Sequence, residues 1–147
     1  KEIEYKTLPL RLETGTQNIA GVLGLSASID YLNSIGMNKI HEHELELKNY
    51  LLEKLKSIDN ITVYNKNTDS GIVVFNIDNI FSEDTSRYLN HYHIFVRAGN
   101  HCTKMVKDEL GIKNTCRISF YLYNTKEEID KLIEVLKNNK DLYEIIL

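Results

Sequence analysis

Residues 116–136 read CRISFYLYNTKEEIDKLIEVL, and this stretch decides the fold. Residues 116–121 alternate between apolar and polar side chains, with the period of two that is typical of a strand. Thr125 and Glu128 then form the sequence pattern of a capping box, which marks the start of a helix. In that helix, apolar residues recur at helical spacing: Ile129, Leu132, Ile133 and Leu136. A strand followed by an amphipathic helix predicts helices layered on a sheet.

The same two periods predict the other elements of the chain. Helices are predicted over residues 18–34, 38–57, 82–92 and 141–146, with a helical turn over 105–110. Asn18 and Ser82 are candidate N-caps, and Gly36 ends the first helix. Further strands are predicted over residues 61–64, 72–77 and 94–97. This order indicates an α+β domain over residues 18–147, a small, mainly antiparallel sheet with helices on one face, preceded by an extended segment over residues 1–17.

The composition restricts the class of protein. With 147 residues, of which 42% are hydrophobic and 27% charged, the chain fits one globular domain. A formal charge of −3 argues against nucleic acid as the partner, since there is no basic surplus to neutralise phosphates. No apolar run approaches the ~20 residues that cross a bilayer, so no membrane association is expected. The first residues do not form a signal peptide and lack an initiating methionine, so we expect a cytoplasmic protein and a chain that is a processed product or a fragment.

The two cysteines occupy different sequence environments, and we expect no disulfide between them. Cys116 lies in the alternating strand, where it is expected to be a small core residue. Cys102 ends the turn RAGNHC at residues 97–102. Because this turn is polar, a thiol there is not expected to serve only as a packed core residue. Arg117 heads the later strand, where a guanidinium can hold a carboxylate through two hydrogen bonds. A thiol and a carboxylate clamp at neighbouring strand ends suggest a site for a small amino acid.

Three stretches, in this order and spacing, carry a resemblance to a known family: ETGTQNIAG at 13–21, VRAGNHC at 96–102, and CRIS at 116–119 with YNT at 123–125. Together they resemble the C-terminal small domain of a cysteine desulfurase, in the class V aminotransferase family of fold-type I enzymes that use pyridoxal 5'-phosphate (PLP). The short cysteine loop is most similar to the group that includes SufS and selenocysteine lyase. The resemblance implies the small-domain fold of these transferases.

The resemblance also implies roles for individual residues. Cys102 would attack the sulfur of L-cysteine and keep it as a persulfide, leaving alanine. Arg117 would hold the substrate carboxylate, and Arg97 would line the same pocket. Thr16 would reach the PLP phosphate of the neighbouring subunit, which implies a homodimer. The sulfur would pass to an acceptor protein, for iron–sulfur clusters or other thio-cofactors.

The loop that carries Cys102 departs from the family pattern at two positions. Asn100 stands where close relatives often have histidine, and Thr103 stands where they often have alanine. Asparagine cannot exchange a proton near neutral pH, so no acid–base role is expected at position 100. His101 adjoins the thiol of Cys102 in the sequence. The family's Schiff-base lysine follows a histidine in the large domain, and no His-Lys pair occurs in this chain. We therefore expect the 147 residues alone to be inactive.

Other interpretations stay open at this level. Within enzymes, the alternative is selenocysteine lyase or another class V aminotransferase-like lyase; outside them, it is a non-catalytic domain that binds a partner. A cysteine-dependent hydrolase or a thiol oxidoreductase ranks last, because the chain has no Cys-x-x-Cys and no spaced histidine and acid.

The single residues also have non-functional interpretations. Cys102 could be a turn cysteine without a function, Arg117 a surface arginine and Thr16 an ordinary turn hydroxyl. His91, His93, His101 and Cys102 lack zinc-ligand spacing, so no metal site is expected.

Overall fold

The structure is a computed structural model that describes residues 3–13 and 15–146, leaving Lys1, Glu2, Thr14 and Leu147 outside it. The side chains of Val106, Lys107 and Asp141 are likewise not described. The chain divides into a first unit, Lys1–Met37, and a second unit, Asn38–Leu147. The expected boundary between residues 17 and 18 falls inside the first unit. Thr14, a member of the 13–21 motif, is among the residues outside the description.

The first unit contains a 3-10 turn, Leu10–Leu12, and the helix α1, Ile19–Ile35. The Asn18 side chain accepts a hydrogen bond from the Gly21 amide at 3.1 Å, so the expected N-cap is confirmed. Gly36, with φ 97°, ends the helix in a backbone conformation that favours glycine. None of the described α1 side chains is buried. The exposed ones include large apolar residues: Ile19, Val22, Leu23, Leu25, Ile29 and Tyr31.

The second unit is built on a four-stranded sheet. Its strands are β1 (Ile61–Val63), β2 (Ile72–Ile77), β3 (Arg97–Gly99) and β4 (Thr115–Ser119). They lie in the order β1-β2-β4-β3, and each neighbouring pair is antiparallel. The remaining helices are α2 (Met37–Leu55), α3 (Ser82–His91), α4 (Lys104–Leu110), α5 (Lys126–Lys137) and α6 (Leu142–Ile146). The α+β class and the antiparallel sheet are thus confirmed.

One face of the sheet forms the hydrophobic core with the helices. Strand residues alternate in burial, so that Val73, Phe75, Cys116 and Ile118 face the core. The helices α2, α3, α5 and α6 contribute the other buried members, among them Leu47, Leu51, Tyr88, Leu89, Ile129, Leu136 and Leu142. The opposite face, which we call the open face, carries the intervening residues: Val74, Asn76, Arg97, Thr115, Arg117 and Ser119.

Two local predictions are wrong. The strand expected over residues 94–97 is instead Arg97–Gly99, because His93 has a positive φ of 59° and the chain reaches its pairing partner only at Arg97. Ser82 does not cap α3. Phe81 is the N-cap residue, and the Ser82 hydroxyl donates to a Glu83 carboxylate oxygen at 2.9 Å.

The capping box at the start of α5 is confirmed. The Thr125 hydroxyl accepts from the Glu128 amide, and the Glu128 carboxylate accepts from the Thr125 amide at 3.1 Å. This arrangement satisfies two backbone donors at a helix end that would otherwise lack partners. The capping box therefore fixes the residue at which α5 begins after β4.

Candidate functional site

Two arginines lie side by side on the open face of the sheet. Arg117 in β4 is the direct cross-strand partner of Arg97 in β3, and Val74 of β2 lies on its other side. Directly opposed residues in antiparallel strands have Cβ atoms about 4.5–5.5 Å apart, so two like charges at these positions repel each other. The buried Nε atom of Arg117 has no hydrogen-bond partner among the described residues. An anion held by both guanidinium groups would relieve the repulsion and use the free donor.

A tight loop follows β3 and carries Cys102. The carbonyl of Asn100 accepts hydrogen bonds from the amide and from the hydroxyl of Thr103, each at 3.0 Å. The backbone takes positive φ values at Gly99 (113°), His101 (50°) and Cys102 (60°). Cys102 is exposed at the tip, and Asn100 is exposed beside it. The loop therefore exposes the Cys102 thiol at this end of the sheet.

His101 connects this loop to β4. Its Nε2 atom donates a hydrogen bond to the carbonyl oxygen of Thr115 at 2.9 Å. Thr115 is the cross-strand partner of Gly99 and lies on the same face of β4 as Arg117. The structure thus brings Cys102, Asn100, His101, Arg97 and Arg117 onto one pair of strands and the loop that leaves it.

Cys116 is a thiol of the opposite kind. It is completely buried, and its Sγ atom donates to the carbonyl of Ser82 at 3.1 Å. Burial in the core, assisted by the nearby negative charge of Glu83, raises the pKa of the Cys116 thiol to about 12. The expectation of a small core residue is confirmed, and both cysteines are free thiols. Cys116 is accordingly protonated and inert at neutral pH.

Thr16 lies in the first unit, apart in the chain from the residues around Cys102, which belong to the second unit. It occupies a bend between Gly15, which has φ 70°, and the start of α1, and its side chain is exposed. In the sequence, Thr16 is three residues before Ile19, where α1 begins.

One polar residue of the open face, Asn76, is not predicted as a site residue by the sequence patterns. Asn76 interrupts the apolar strand β2, and its amide nitrogen donates to the Asn114 carbonyl at 2.9 Å and to the Tyr64 hydroxyl at 3.2 Å. Its buried Oδ1 atom has no hydrogen-bond partner among the described residues. The available signal was an asparagine in IVVFNI, a run otherwise composed of apolar residues.

No group of three or more His, Cys, Asp or Glu side chains within residues 3–13 and 15–146 is arranged to hold a metal ion. Over the same ranges, no helix is both long and apolar enough for a bilayer. A cavity of about 520 Å³ lies between Phe95, Tyr123 and α5, and it is lined by Val96 and Ser119 but by neither arginine.

Comparison with known proteins decides the family. The model of the family described as aminotransferase class-V matches residues 1–132, which is most of the chain. The chain belongs to this family.

Curated relatives in the family carry a more specific name. A probable cysteine desulfurase from Halalkalibacterium halodurans is 42% identical over 139 residues, covering 95% of this chain and 34% of the relative. A cysteine desulfurase from Haloferax volcanii is 38% identical over 141 residues, covering 95% of this chain and 33% of its own length. The chain therefore spans about a third of the length of the curated relatives it matches.

Solved structures of cysteine desulfurases give the same result. An apo cysteine desulfurase from Thermococcus onnurineus NA1 matches 88% of this chain and 33% of its own, with a TM-score of 0.82 and 35% identity. The cysteine desulfurase CsdA from Escherichia coli matches 100% of this chain and 37% of its own, with a TM-score of 0.84 and 28% identity. The resemblance drawn from the three sequence stretches is thereby confirmed at the level of the family and the fold.

Proposed function

We propose that this chain is the C-terminal part of a PLP-dependent cysteine desulfurase, and that its own contribution is the sulfur-accepting thiol and the substrate carboxylate clamp. The observation that carries the proposal is the pairing of Arg97 with Arg117 beside the loop that exposes Cys102. The names of the relatives support the reaction, and the chain supplies the two groups that this reaction needs from it.

In this proposal the two arginines bind the amino-acid substrate. A guanidinium presents a planar set of donors that matches a carboxylate, and the Arg117 Nε atom is without a partner in the described residues. Arg97 adds a second positive charge from the adjacent strand. A cysteine carboxylate between them would relieve the cross-strand repulsion, so substrate binding stabilises the pair of strands that carries the site.

Cys102 then takes the sulfur. As a thiolate, its Sγ atom attacks the substrate sulfur and forms an S–S bond, while the substrate C–S bond breaks with its electron pair left on carbon. A proton delivered to that carbon gives alanine, and Cys102 is left as a persulfide. The exposed position of Cys102 suits this step for two reasons. The thiol proton can leave to solvent, and an acceptor protein can reach the terminal sulfur of the persulfide.

PLP supplies the electron sink that makes the carbon side of this cleavage accessible. Within this chain, the exposed Thr16 hydroxyl near the start of α1 fits a phosphate oxygen, as a hydroxyl and backbone donors in a glycine turn do elsewhere. The lysine that binds the cofactor and the acid that faces its ring nitrogen would come from polypeptide outside this chain. By itself the chain would therefore be inactive.

The remaining parts of the proposal concern the whole protein. It would be a cytoplasmic homodimer in which Thr16 serves the cofactor of the neighbouring subunit. It would act on L-cysteine and deliver sulfur to an acceptor protein for iron–sulfur clusters or other thio-cofactors. Turnover of cysteine against selenocysteine by the full-length protein measures whether sulfur is its preferred substrate atom.

The direct test follows the sulfur. Full-length protein is given mass-labelled L-cysteine without acceptor, and persulfide is mapped by peptide mass spectrometry. We expect the label on Cys102, its loss in Cys102→Ser, and its retention in the matched control Cys116→Ser. Persistent label on Cys116, or alanine formation at the normal rate by Cys102→Ser, would contradict the assignment.

A further inference from the structure

The loop that presents Cys102 adopts a backbone conformation that needs outside support. His101 and Cys102 are consecutive non-glycine residues with φ values of 50° and 60°, in the left-handed region. Such residues each cost of order 1–3 kcal/mol and persist only when surrounding contacts enforce them. Gly99, at φ 113°, meets no such penalty. The position of the thiol therefore depends on whatever holds residues 101 and 102.

The ring of His101 reaches out of the loop to β4. Its Nε2–H donates to the Thr115 carbonyl at 2.9 Å, and Thr115 is only 2% exposed, so water competes poorly for this bond. The hydrogen bonds from Thr103 to the Asn100 carbonyl lie within the loop and do not tie it to the sheet. Thr115 belongs to the same strand face as Arg117.

We propose that His101 is a positioning residue, which fixes the Cys102 thiol relative to Arg117 by tying the loop to β4 through the Thr115 carbonyl. The inference rests on the proposed function, in which Arg117 holds the substrate whose sulfur Cys102 attacks. Attack on a bound substrate requires the reacting atoms to be held close and aligned, and a misplacement of about 1 Å can cost about a hundredfold in rate. The tether supplies that alignment from one side chain.

The test uses three variants of the full-length holoenzyme. His101→Gln keeps an amide donor at roughly the reach of Nε2, and His101→Met is its near-isosteric match without a donor. His101→Gly removes both the ring and the penalty for a positive φ. We expect kcat to fall about 10- to 100-fold in His101→Met and His101→Gly, with KM for cysteine changed less than about twofold, because both arginines remain. His101→Gln should stay within about threefold of wild type.

A second readout is independent of turnover. Hydrogen exchange at the amides of residues 100–103 should speed up about fivefold or more in His101→Met and His101→Gly and stay unchanged in His101→Gln. Equal kcat and equal exchange in His101→Gln and His101→Met would overturn the inference, and so would recovery of both readouts in His101→Gly. Where exchange follows this pattern but Cys102→Ser still releases sulfur at the normal rate, the tether stands and the proposed function fails.

Discussion

At the scale of residues, the two thiols of the chain differ in their exposure to solvent. Cys102 is exposed on a loop, whereas Cys116 is fully buried and donates to the Ser82 carbonyl. Only the thiolate reacts with an alkylating reagent, and the pKa of Cys116 is raised to about 12 by burial. At pH 8 we therefore expect iodoacetamide to modify Cys102 in the folded protein and to leave Cys116 unmodified, as measured by peptide mass spectrometry.

The pH dependence of Cys116 labelling provides the control for this prediction. Raising the pH to 10 stays below the folded pKa of Cys116, which is about 12, so it should remain unmodified while the structure is intact. In urea both thiols should react, since the unfolded Cys116 returns to its ordinary pKa of 9.0. Modification of Cys116 at pH 8 without unfolding would show that α3 does not cover β4.

Arg97 and Arg117 place two positive charges directly opposite each other on neighbouring strands. Like charges directly opposed on a sheet destabilise it, so replacing Arg97 by threonine, a good strand former, should raise the free energy of unfolding by about 0.2–1 kcal/mol. Urea denaturation at low salt measures this change. The gain should shrink at high salt, which screens the repulsion. A loss of stability in Arg97→Thr at low salt would mean that the guanidinium makes a favourable contact on this face.

At the scale of elements, the helix α5 is fixed at its start by the capping box of Thr125 and Glu128. Thr125→Ala removes the hydroxyl acceptor and should lower the free energy of unfolding by about 0.5–2 kcal/mol. Thr125→Ser keeps the acceptor and is the matched control, expected to stay near wild type. Both are measured by urea denaturation. Equal stability of the alanine and serine variants would contradict a stabilising role for the cap.

The elements also show what a sequence can predict. The confirmed predictions, such as the Asn18 cap, the α5 capping box and the strand at residues 72–77, rest on local chemistry, which neighbouring residues determine by themselves. Ser82 is not the cap because α3 begins at Ser82 itself, with Phe81 before it as the N-cap residue. The strand expected at residues 94–97 moved to Arg97–Gly99 because its partner, β4, is remote in sequence.

In the candidate site too, local features could be predicted from the sequence and long-range ones could not. The residue types at positions 102 and 117 indicate a thiol and a carboxylate clamp, and the family resemblance alone implies a role for Arg97. Arg97 and Arg117 pair directly because of the register of two strands, and no local sequence pattern predicts that register. The bond from His101 to the Thr115 carbonyl depends on two consecutive positive φ values, and the residue types histidine and cysteine do not indicate them.

At the scale of the whole molecule, the two units differ in how they are stabilised. The hydrophobic cluster lies entirely within the second unit, from Leu47 to Leu142. The helix α1 is apolar around most of its circumference, yet none of its described side chains is buried. A helix of this composition is normally covered on several sides. The second unit therefore has a hydrophobic core of its own, whereas α1 carries exposed apolar side chains.

This difference gives a prediction for two pieces of the protein. Residues 38–147 alone should unfold cooperatively, with a urea midpoint close to that of the second unit in the longer chain, because their core is self-contained. The chain of residues 1–147 should bind the dye ANS and self-associate, because Val22, Leu25 and their neighbours are exposed. Dye fluorescence and size-exclusion chromatography measure both properties, with the double variant Val22→Asp, Leu25→Asp as the control that should suppress them. Strong dye binding by residues 38–147 alone would place the exposed apolar surface on the second unit and not on α1.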